Sequence, residues 1–286
     1  MRRQRIFMVR VLIILVVIAG GCGGASAEGP SRRGEPRSDE TSPTGGSCAE
    51  RLTSDANYVS SVLDGLKQKT AQLRSYQCEV NYLFSQPLLE SKTLRTGNLY
   101  YARLGNGSKL RISFDTLTQD ENPQQKYGEQ YIFDGQWLTH IDYQIKQVQK
   151  RQLAEANEQL DAFELAKRNF PLIGFDKTED LQQQFDINLV GEPNGPTHLH
   201  LKVKPDSQYK DDYKSVEVWI DKGLMLPAKI SAVSTDGDIY EISFAKPKVN
   251  EVIDEKVFDF AIPDGFGSTS SPLKGGKPEI IPLKKK

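Results

Sequence analysis

Two histidines, His198 and His200, have residue types and a spacing that could bind a metal ion. Alternate residues of a β-strand point to the same face, so the two imidazoles would lie side by side, as in some metal sites. Lys202 and Lys204 would continue that face, and no third candidate ligand lies nearby in the sequence. A solvated outer face of a sheet therefore explains the pair better than a metal site does.

Sequence motifs of catalysis and redox chemistry are missing. The sequence contains no Gly-x-Ser-x-Gly, no phosphate-binding glycine loop and no Cys-x-x-Cys. The acidic pairs Glu179-Asp180 and Asp211-Asp212 lie in polar turn or helix surroundings, where hydration accounts for them. We therefore predict a protein that is not an enzyme and that needs no cofactor or metal.

The first 21 residues have the pattern of an export signal. Four arginines within the first ten residues precede the apolar run Val11–Ala19, which is too short to span a bilayer as a helix. Removal of these arginines from the 37 basic residues leaves 33 against 38 acidic residues, so the mature chain has no general attraction to nucleic acid. The sequence predicts an exported, periplasmic protein without a nucleic-acid partner.

Two processing hypotheses are open at the end of the apolar run. Ala19-Gly20-Gly21-Cys22 resembles a bacterial lipobox, in which the Cys22 thiol is acylated and becomes the membrane anchor. Ala25-Ser26-Ala27 instead offers a site for ordinary signal peptidase, which would release a soluble protein. We favour the lipoprotein, because a cysteine directly after the apolar run and before a polar tether is what an anchor needs.

Composition divides the remainder of the chain. Residues 23–47 are rich in Gly, Ser, Pro, Glu and Arg without apolar periodicity, and the C-terminal stretch repeats that composition. We predict a signal peptide over residues 1–21, a flexible tether over 22–50, one folded domain over 51–266 and a disordered tail over 267–286.

A disulfide between Cys48 and Cys78 is an open hypothesis for an oxidising compartment. The helix predicted between the two cysteines would be about 30 Å long, whereas the residues from Cys48 to Ser54 reach back only about 20 Å. A bridge would therefore be barely within reach.

An amphipathic helix is predicted over residues 55–74. Ser54 is a good N-cap, and apolar residues recur after it at helical spacing, namely Val59, Val62, Leu63, Leu66 and Leu73. Its polar face is mixed in charge, so we expect it to pack on a sheet rather than on a membrane surface.

Beyond this helix the apolar period changes to two, which is typical of strands. Three runs place side chains on common faces: Val80, Tyr82 and Phe84; Leu99, Tyr101 and Arg103; and Leu110, Ile112 and Phe114. Asp134-Gly135 between two further apolar runs predicts a hairpin. About ten or eleven antiparallel strands are predicted in all, and a sheet of that length must curl or close.

Two further helices are predicted, one over Leu153–Phe170 and a short one near Thr178–Gln184. Helices that interrupt a curled sheet tend to cover its concave face. The fold class is therefore mainly β with helices, and the helices and sheet would enclose a chamber.

In order and spacing, several phrases resemble the outer-membrane lipoprotein carrier family, the LolA-like proteins. The phrases are Thr96–Arg103 (TGNLYYAR), Tyr131–Leu138 (YIFDGQWL) with Tyr143 and Gln147-Val148, Trp219–Asp221, Leu226–Ile230, Asn250, Phe258–Phe260 and Pro263–Phe266. The resemblance covers nearly all of the predicted folded domain.

The resemblance implies an unclosed, strongly curled antiparallel β-barrel, lidded by helices around a hydrophobic cavity for acyl chains. A strand arginine followed by proline helps to hold the lid in the family; by position Arg103 is its counterpart, and Leu104 replaces the proline. Acyl chains offer only apolar area, so their site needs apolar walls. The candidates are Val80, Tyr82, Phe84, Leu99, Tyr101, Leu110, Ile112 and Phe114, which would otherwise fill an ordinary core.

The function implied is that of an envelope protein that binds lipids or lipoproteins and shields their acyl chains, resembling lipoprotein-sorting carriers or receptors. An envelope transporter or receptor would be its protein partner. The alternative is an envelope stress sensor or protein-interaction module that uses the same fold without transferring lipid.

Overall fold

A computed structural model describes residues 48–105, 107–155, 157–162, 178–190, 196–273 and 279–281. For residues 48–56 and 279–281 only the backbone is described. The predicted signal peptide, the predicted lipidation site Cys22 and residues 22–47 of the predicted tether lie outside the described residues.

A 24-residue helix, α1, opens the described chain and spans Cys48–Ala71. It begins within the predicted tether, and Ser54 lies inside it rather than at its N-cap. The reason is that Ala49–Leu52 consists of strong helix formers, which extend the helix upstream. At the other end, the N–H of Gln72 still bonds to the carbonyl of Gln68 at 3.3 Å, and the chain then enters the sheet.

Thirteen strands form one sheet. They are β1 (Ser75–Gln86), β2 (Ser91–Leu104), β3 (Gly107–Gln119), β4 (Gln125–Phe133), β5 (Trp137–Asp142), β6 (Gln147–Gln152), β7 (Phe185–Val190), β8 (Thr197–Val203), β9 (Tyr213–Asp221), β10 (Leu226–Ser234), β11 (Ile239–Val249), β12 (Gly267–Ser271) and β13 (Glu279–Ile281). Short 3₁₀ helices occur at Pro87–Leu89 and Glu255–Phe258.

Two meanders build the sheet. Strands β1 to β6 are neighbours in sequence order, as are β7 to β11, and β1 joins the two halves by pairing with β11. Every pair is antiparallel except β12 with β6. The outermost strands, β13 and β7, are not paired with each other, so the described sheet is unclosed. The predicted mainly β fold, with helices and an unclosed antiparallel sheet, is confirmed.

Strand number differs from the predicted ten or eleven, because β12 and β13 lie beyond Phe266, where a disordered tail is predicted. β12 has the sequence Gly-Ser-Thr-Ser-Ser and is held by backbone pairing along β6. Such pairing needs no apolar alternation, so the sequence carries no signal for it. The hairpin predicted at Asp134-Gly135 is confirmed as the connection between β4 and β5.

The interrupting helices are only partly as predicted. Helix α2 spans Thr178–Gln184, as the sequence indicates. Residues 153–155 and 157–161 are not helical, whereas residues 163–170 of the helix predicted there lie outside the described residues. Leu160 donates its N–H to the carbonyl of Gly135 at 2.9 Å and accepts from the N–H of Ser108 at 3.3 Å. Its backbone groups bind the sheet and are unavailable for helical hydrogen bonds.

One large core lies between α1 and the inner face of the sheet, and it includes buried side chains from β1 to β4 and β7 to β11. A smaller core on the outer face packs Ile132, Ile141 and Val148 under Phe266. Strands on both sides of β1 thus contribute side chains to the core that α1 covers. Within the described ranges, no helix combines the length and the apolar character needed to cross a membrane.

Candidate functional site

All eight predicted wall residues lie on the inner face of β1, β2 and β3 and share one core with α1. Seven of them are at most 2% exposed, and Phe84 is partly buried. The helix side chains of the same core are Val59, Val62, Leu63 and Leu66, followed by Leu73. The structure therefore brings the predicted set together and covers it with the predicted helix.

Cross-strand register explains why these side chains meet. Leu99 pairs with Ile112, and Tyr101 pairs with Leu110, so apolar residues of neighbouring strands lie directly opposite one another. At Gly97 the register shifts, and a Cβ placed there would lie 1.8 Å from the carbonyl oxygen of Ser113. Only glycine allows this close approach of the two strands.

Arg103 joins the sheet to the end of α1. Its Nη1 donates to the carbonyl of Ala71 at 3.1 Å, and its Nε donates to the carboxylate of Asp161 at 3.1 Å. A cation at a helix C-terminus is also favoured by the helix dipole. We call the set of Arg103, Ala71 and Asp161 the helix clasp. The residue predicted to contact the lid thus lies at the end of α1.

Asp161 is a clasp residue that the sequence analysis missed. Besides Arg103 it accepts from the hydroxyl of Tyr101 at 3.3 Å and from that of Ser108 at 3.3 Å. Burial and then the charge of Asp161 raise the pKa of Tyr101 well above its usual value. Its partners lie more than fifty residues away in sequence, so no local pattern identifies it.

A second polar group lies on the same inner face around the buried Glu129. Its carboxylate accepts hydrogen bonds from Tyr127 at 2.9 Å, Tyr131 at 2.6 Å and His140 Nε2 at 3.0 Å. Arg95 Nη1 lies 3.5 Å from the same carboxylate. We call these five residues the inner polar cluster.

The partners of Glu129 keep it ionised despite its burial. Burial alone would raise the pKa of Glu129, but the hydrogen bond from His140, the charge of Arg95 and the hydrogen bond from Tyr131 together lower it to about 2. The sequence analysis missed this cluster as well. One signal was present, since Glu129 alternates with Tyr131 and Phe133 on a face that is otherwise apolar.

The two strand histidines lie on the outer face, because Leu199 and Leu201 between and after them are buried inside. Both imidazoles contact one carboxylate: His198 Nε2 lies 2.6 Å and His200 Nδ1 2.5 Å from Glu217. Within the described residues, no group of three or more His, Cys, Asp or Glu side chains could hold a metal ion.

Cys78 is buried on β1 and forms no disulfide with any cysteine whose side chain is described. Burial raises the pKa of its thiol to about 12, which makes the thiol unreactive near neutral pH. The side chain of Cys48 lies outside the described residues, and the pairing of the two cysteines stays a prediction.

Three features characterise this fold: an unclosed antiparallel sheet, a long helix packed on its inner face, and an inner-face arginine that binds the end of that helix. Residues 121–261 match the family model described as outer membrane lipoprotein carrier protein LolA. Over these residues the chain is similar to LolA, and the resemblance seen in its sequence motifs is confirmed. Among curated proteins, none matches this sequence.

Solved structures with a similar arrangement come from several bacteria. An uncharacterized conserved protein from Thermus thermophilus is 12% identical, with 74% of this chain and 99% of that chain covered and a TM-score of 0.43. The Pseudomonas aeruginosa MucA/MucB complex is 15% identical, with 71% of this chain and 61% of that chain covered and a TM-score of 0.42. The Mycobacterium tuberculosis lipoprotein LppX is 12% identical, with 68% of this chain and 97% of that chain covered and a TM-score of 0.35. At these identities the likeness concerns the fold alone.

Proposed function

We propose that this protein binds the acyl chains of lipids or lipoproteins in the cell envelope, between the inner face of its sheet and α1. The observation that carries the proposal is the helix clasp. Arg103 binds the end of α1 through one hydrogen bond, from Nη1 to the carbonyl of Ala71, and a second bond, from Nε, joins the same guanidinium to Asp161. Release of these bonds would let the helix move without unpairing any strand.

The energies involved are of the right size for exchange between helix and ligand. Four apolar side chains of α1, Val59, Val62, Leu63 and Leu66, are buried in the core. Their burial contributes roughly 2 kcal/mol each, or about 8 kcal/mol in all. An acyl chain with about fourteen methylenes contributes about 11 kcal/mol when it is buried, at about 0.8 kcal/mol per methylene. One chain therefore offsets the displacement of the helix side chains.

The supporting chemistry is that of shielding rather than catalysis. Most side chains that the described strands bury on the inner face are apolar, and acyl chains need no covalent step to be carried. The family model supports the same class of ligand, since its members are described as lipoprotein carriers. Export through residues 1–21 and anchoring through Cys22 would place the site at a membrane surface in the periplasm, next to an envelope transporter or receptor.

Mass spectrometry of the intact protein, purified from a bacterial periplasm in mild detergent, tests the proposal. We expect a stoichiometric lipid or acylated peptide, and we expect Ile112→Asp to lose it, because a carboxylate would enter the fully buried inner face. The matched control is Arg111→Asp on the opposite face of the same strand. A wild-type protein that carries no lipid and takes up no fluorescent fatty acid would contradict the proposal and favour the sensor or interaction module.

A further inference from the structure

The inner polar cluster adjoins the predicted acyl walls directly. Arg95 pairs in register with Tyr82 across β1 and β2, and Glu129 pairs with Phe114 across β3 and β4. The guanidinium of Arg95 lies over the ring of Tyr82 at 6.0 Å and over that of Tyr127 at 5.3 Å. Any acyl chain that lies along Tyr82 and Phe114 would therefore pass beside Arg95.

Glu129 and Arg95 differ in how many of their hydrogen-bonding atoms have partners. Glu129 has three hydrogen-bond donors and one ion-pair partner, so its carboxylate is fully occupied. Arg95 Nε is buried, and it has no hydrogen-bond acceptor within the described part of the chain. A buried donor without an acceptor is destabilising, so Arg95 Nε is suited to an acceptor that a ligand would supply.

The charge around Arg95 decides which acceptor fits. The ionised Glu129 lies 3.5 Å from the guanidinium and already balances its charge. A second anion, such as a fatty-acid carboxylate or a phosphate, would be repelled by that carboxylate. A neutral carbonyl oxygen accepts from Nε without this repulsion and needs only one donor.

We propose that Arg95 is the polar subsite of the acyl site and that its Nε–H donates to the carbonyl oxygen of an acyl ester. This inference rests on the proposed function and extends it by naming the ligand class. Ester-linked lipids would be selected over hydrocarbons and over ether-linked lipids, which carry the same chains without the carbonyl. The acyl chains would supply most of the affinity, and Arg95 would fix which end of the ligand lies at this edge of the cluster.

Two short-chain phosphatidylcholines test the subsite, diheptanoyl phosphatidylcholine and its dihexyl ether analogue, both titrated into the full protein by calorimetry. Their head groups and hydrocarbon lengths match, so the ratio of their dissociation constants isolates the carbonyl. A hydrogen bond of ordinary net strength corresponds to a preference of about fivefold for the ester. We expect at least this ratio for the wild-type protein.

Arg95→Lys keeps a positive charge beside Glu129 but removes the Nε–H donor, so its ester preference should fall close to one. The control is Arg111→Lys, on the outer face of β3, where the guanidinium bonds to the carbonyls of Val257 and Asp259. It should keep the wild-type ratio.

The outcomes separate this inference from the proposed function. If both lipids bind the wild-type protein with equal affinity, the subsite is disproved and acyl binding stands. An ester preference that survives in Arg95→Lys would also disprove the subsite. If neither lipid binds, the proposed function fails and the subsite fails with it. Because the ratio in the wild-type protein is itself decisive, the test does not depend on the folding of the variant.

Discussion

The two arginines that β2 places on the inner face, Arg95 and Arg103, lie in contrasting surroundings. The side chain of Arg95 is 19% exposed and its carboxylate partner only 6%, whereas for Arg103 and Asp161 the values are 32% and 18%. Arg95 contacts residues of its own sheet, on β1 and β4. Arg103 contacts α1 and the segment after β6.

These surroundings determine which of the two contacts can open. The partners of Arg95 are fixed by strand pairing, so the pair separates only when the sheet is disrupted. The partners of Arg103 belong to elements that rest on the sheet, and their contact can break while every strand stays paired. We therefore expect the inner polar cluster to govern global stability and the helix clasp to govern the motion of α1.

The largest expected effect comes from breaking the buried pair with Glu129→Gln. This variant leaves the guanidinium of Arg95 buried without a compensating charge, and loss of one partner from a buried pair costs about 3–5 kcal/mol. We expect a decrease of that size in the free energy of unfolding, measured by urea denaturation.

The matched control for this variant is Glu241→Gln on the outer face. Glu241 lies 2.8 Å from Lys229 Nζ, but both side chains are about one-third exposed. A pair of this kind contributes about 0–1 kcal/mol. Equal losses from the two variants would contradict the distinction between buried and exposed pairs.

A second prediction concerns acid. The pKa of Glu129 is lowered from 4.5 to about 2 in the folded protein. A lowered folded-state pKa contributes stability that is present above about pH 4.5 and is lost as the pH falls towards 2. The contribution is about 3 kcal/mol on the scale of 1.36 kcal/mol per pKa unit. Urea denaturation between pH 6 and pH 3 should show about 2 kcal/mol of this loss, because pH 3 still lies above the folded-state pKa. Glu129→Gln should have a shallower pH profile, and parallel profiles would refute the assignment.

The helix clasp should give a smaller and more local effect. Arg103→Leu removes the bonds to Ala71 and Asp161, and the expected loss of global stability is about 1–2 kcal/mol because the side chain is partly exposed. Hydrogen exchange should quicken in residues 57–71 and stay unchanged in β1 and β2. Arg103→Lys is the graded comparison, since it keeps the charge at the helix end but not the forked geometry. Uniform quickening across the sheet would show that the clasp is part of the core.

What the sequence could predict follows from how local each signal is. The inner faces of β1, β2 and β3 can be predicted from the alternation of apolar residues around Tyr82, Leu99 and Ile112, because this alternation is contained within each strand. Arg103 can be predicted because it lies in the motif Thr96–Arg103, which resembles the LolA-like family. These signals recover the inner-face strands and one of the three residues of the helix clasp, whereas the unclosed form of the sheet was implied by the family resemblance.

The remaining features depend on contacts between distant residues. Four strands, β3 to β6, separate Asp161 from Arg103 in the sequence. Glu129 can be recognised as an ionised group only when Arg95 and His140 are known to surround it. β12 is held by backbone pairing that any polar sequence allows. Burial, long-range electrostatics and the pairing of edge strands leave no periodic pattern in the sequence, so they cannot be predicted from residue spacing.

The smallest expected effect belongs to the outer-face histidines, which supply a solvated reference for both arginine sites. Glu217→Gln removes the carboxylate that lies 2.6 Å from His198 and 2.5 Å from His200. All three side chains are between 19% and 33% exposed, so water replaces most of what is lost and the change in unfolding free energy should stay within about 1 kcal/mol. Urea denaturation with and without added zinc checks this, since a metal site would be stabilised by the ion in the wild-type protein. A decrease in unfolding free energy above about 2 kcal/mol would mean that this face is covered in the native protein. The distinction between buried inner charges and solvated outer charges would then be wrong.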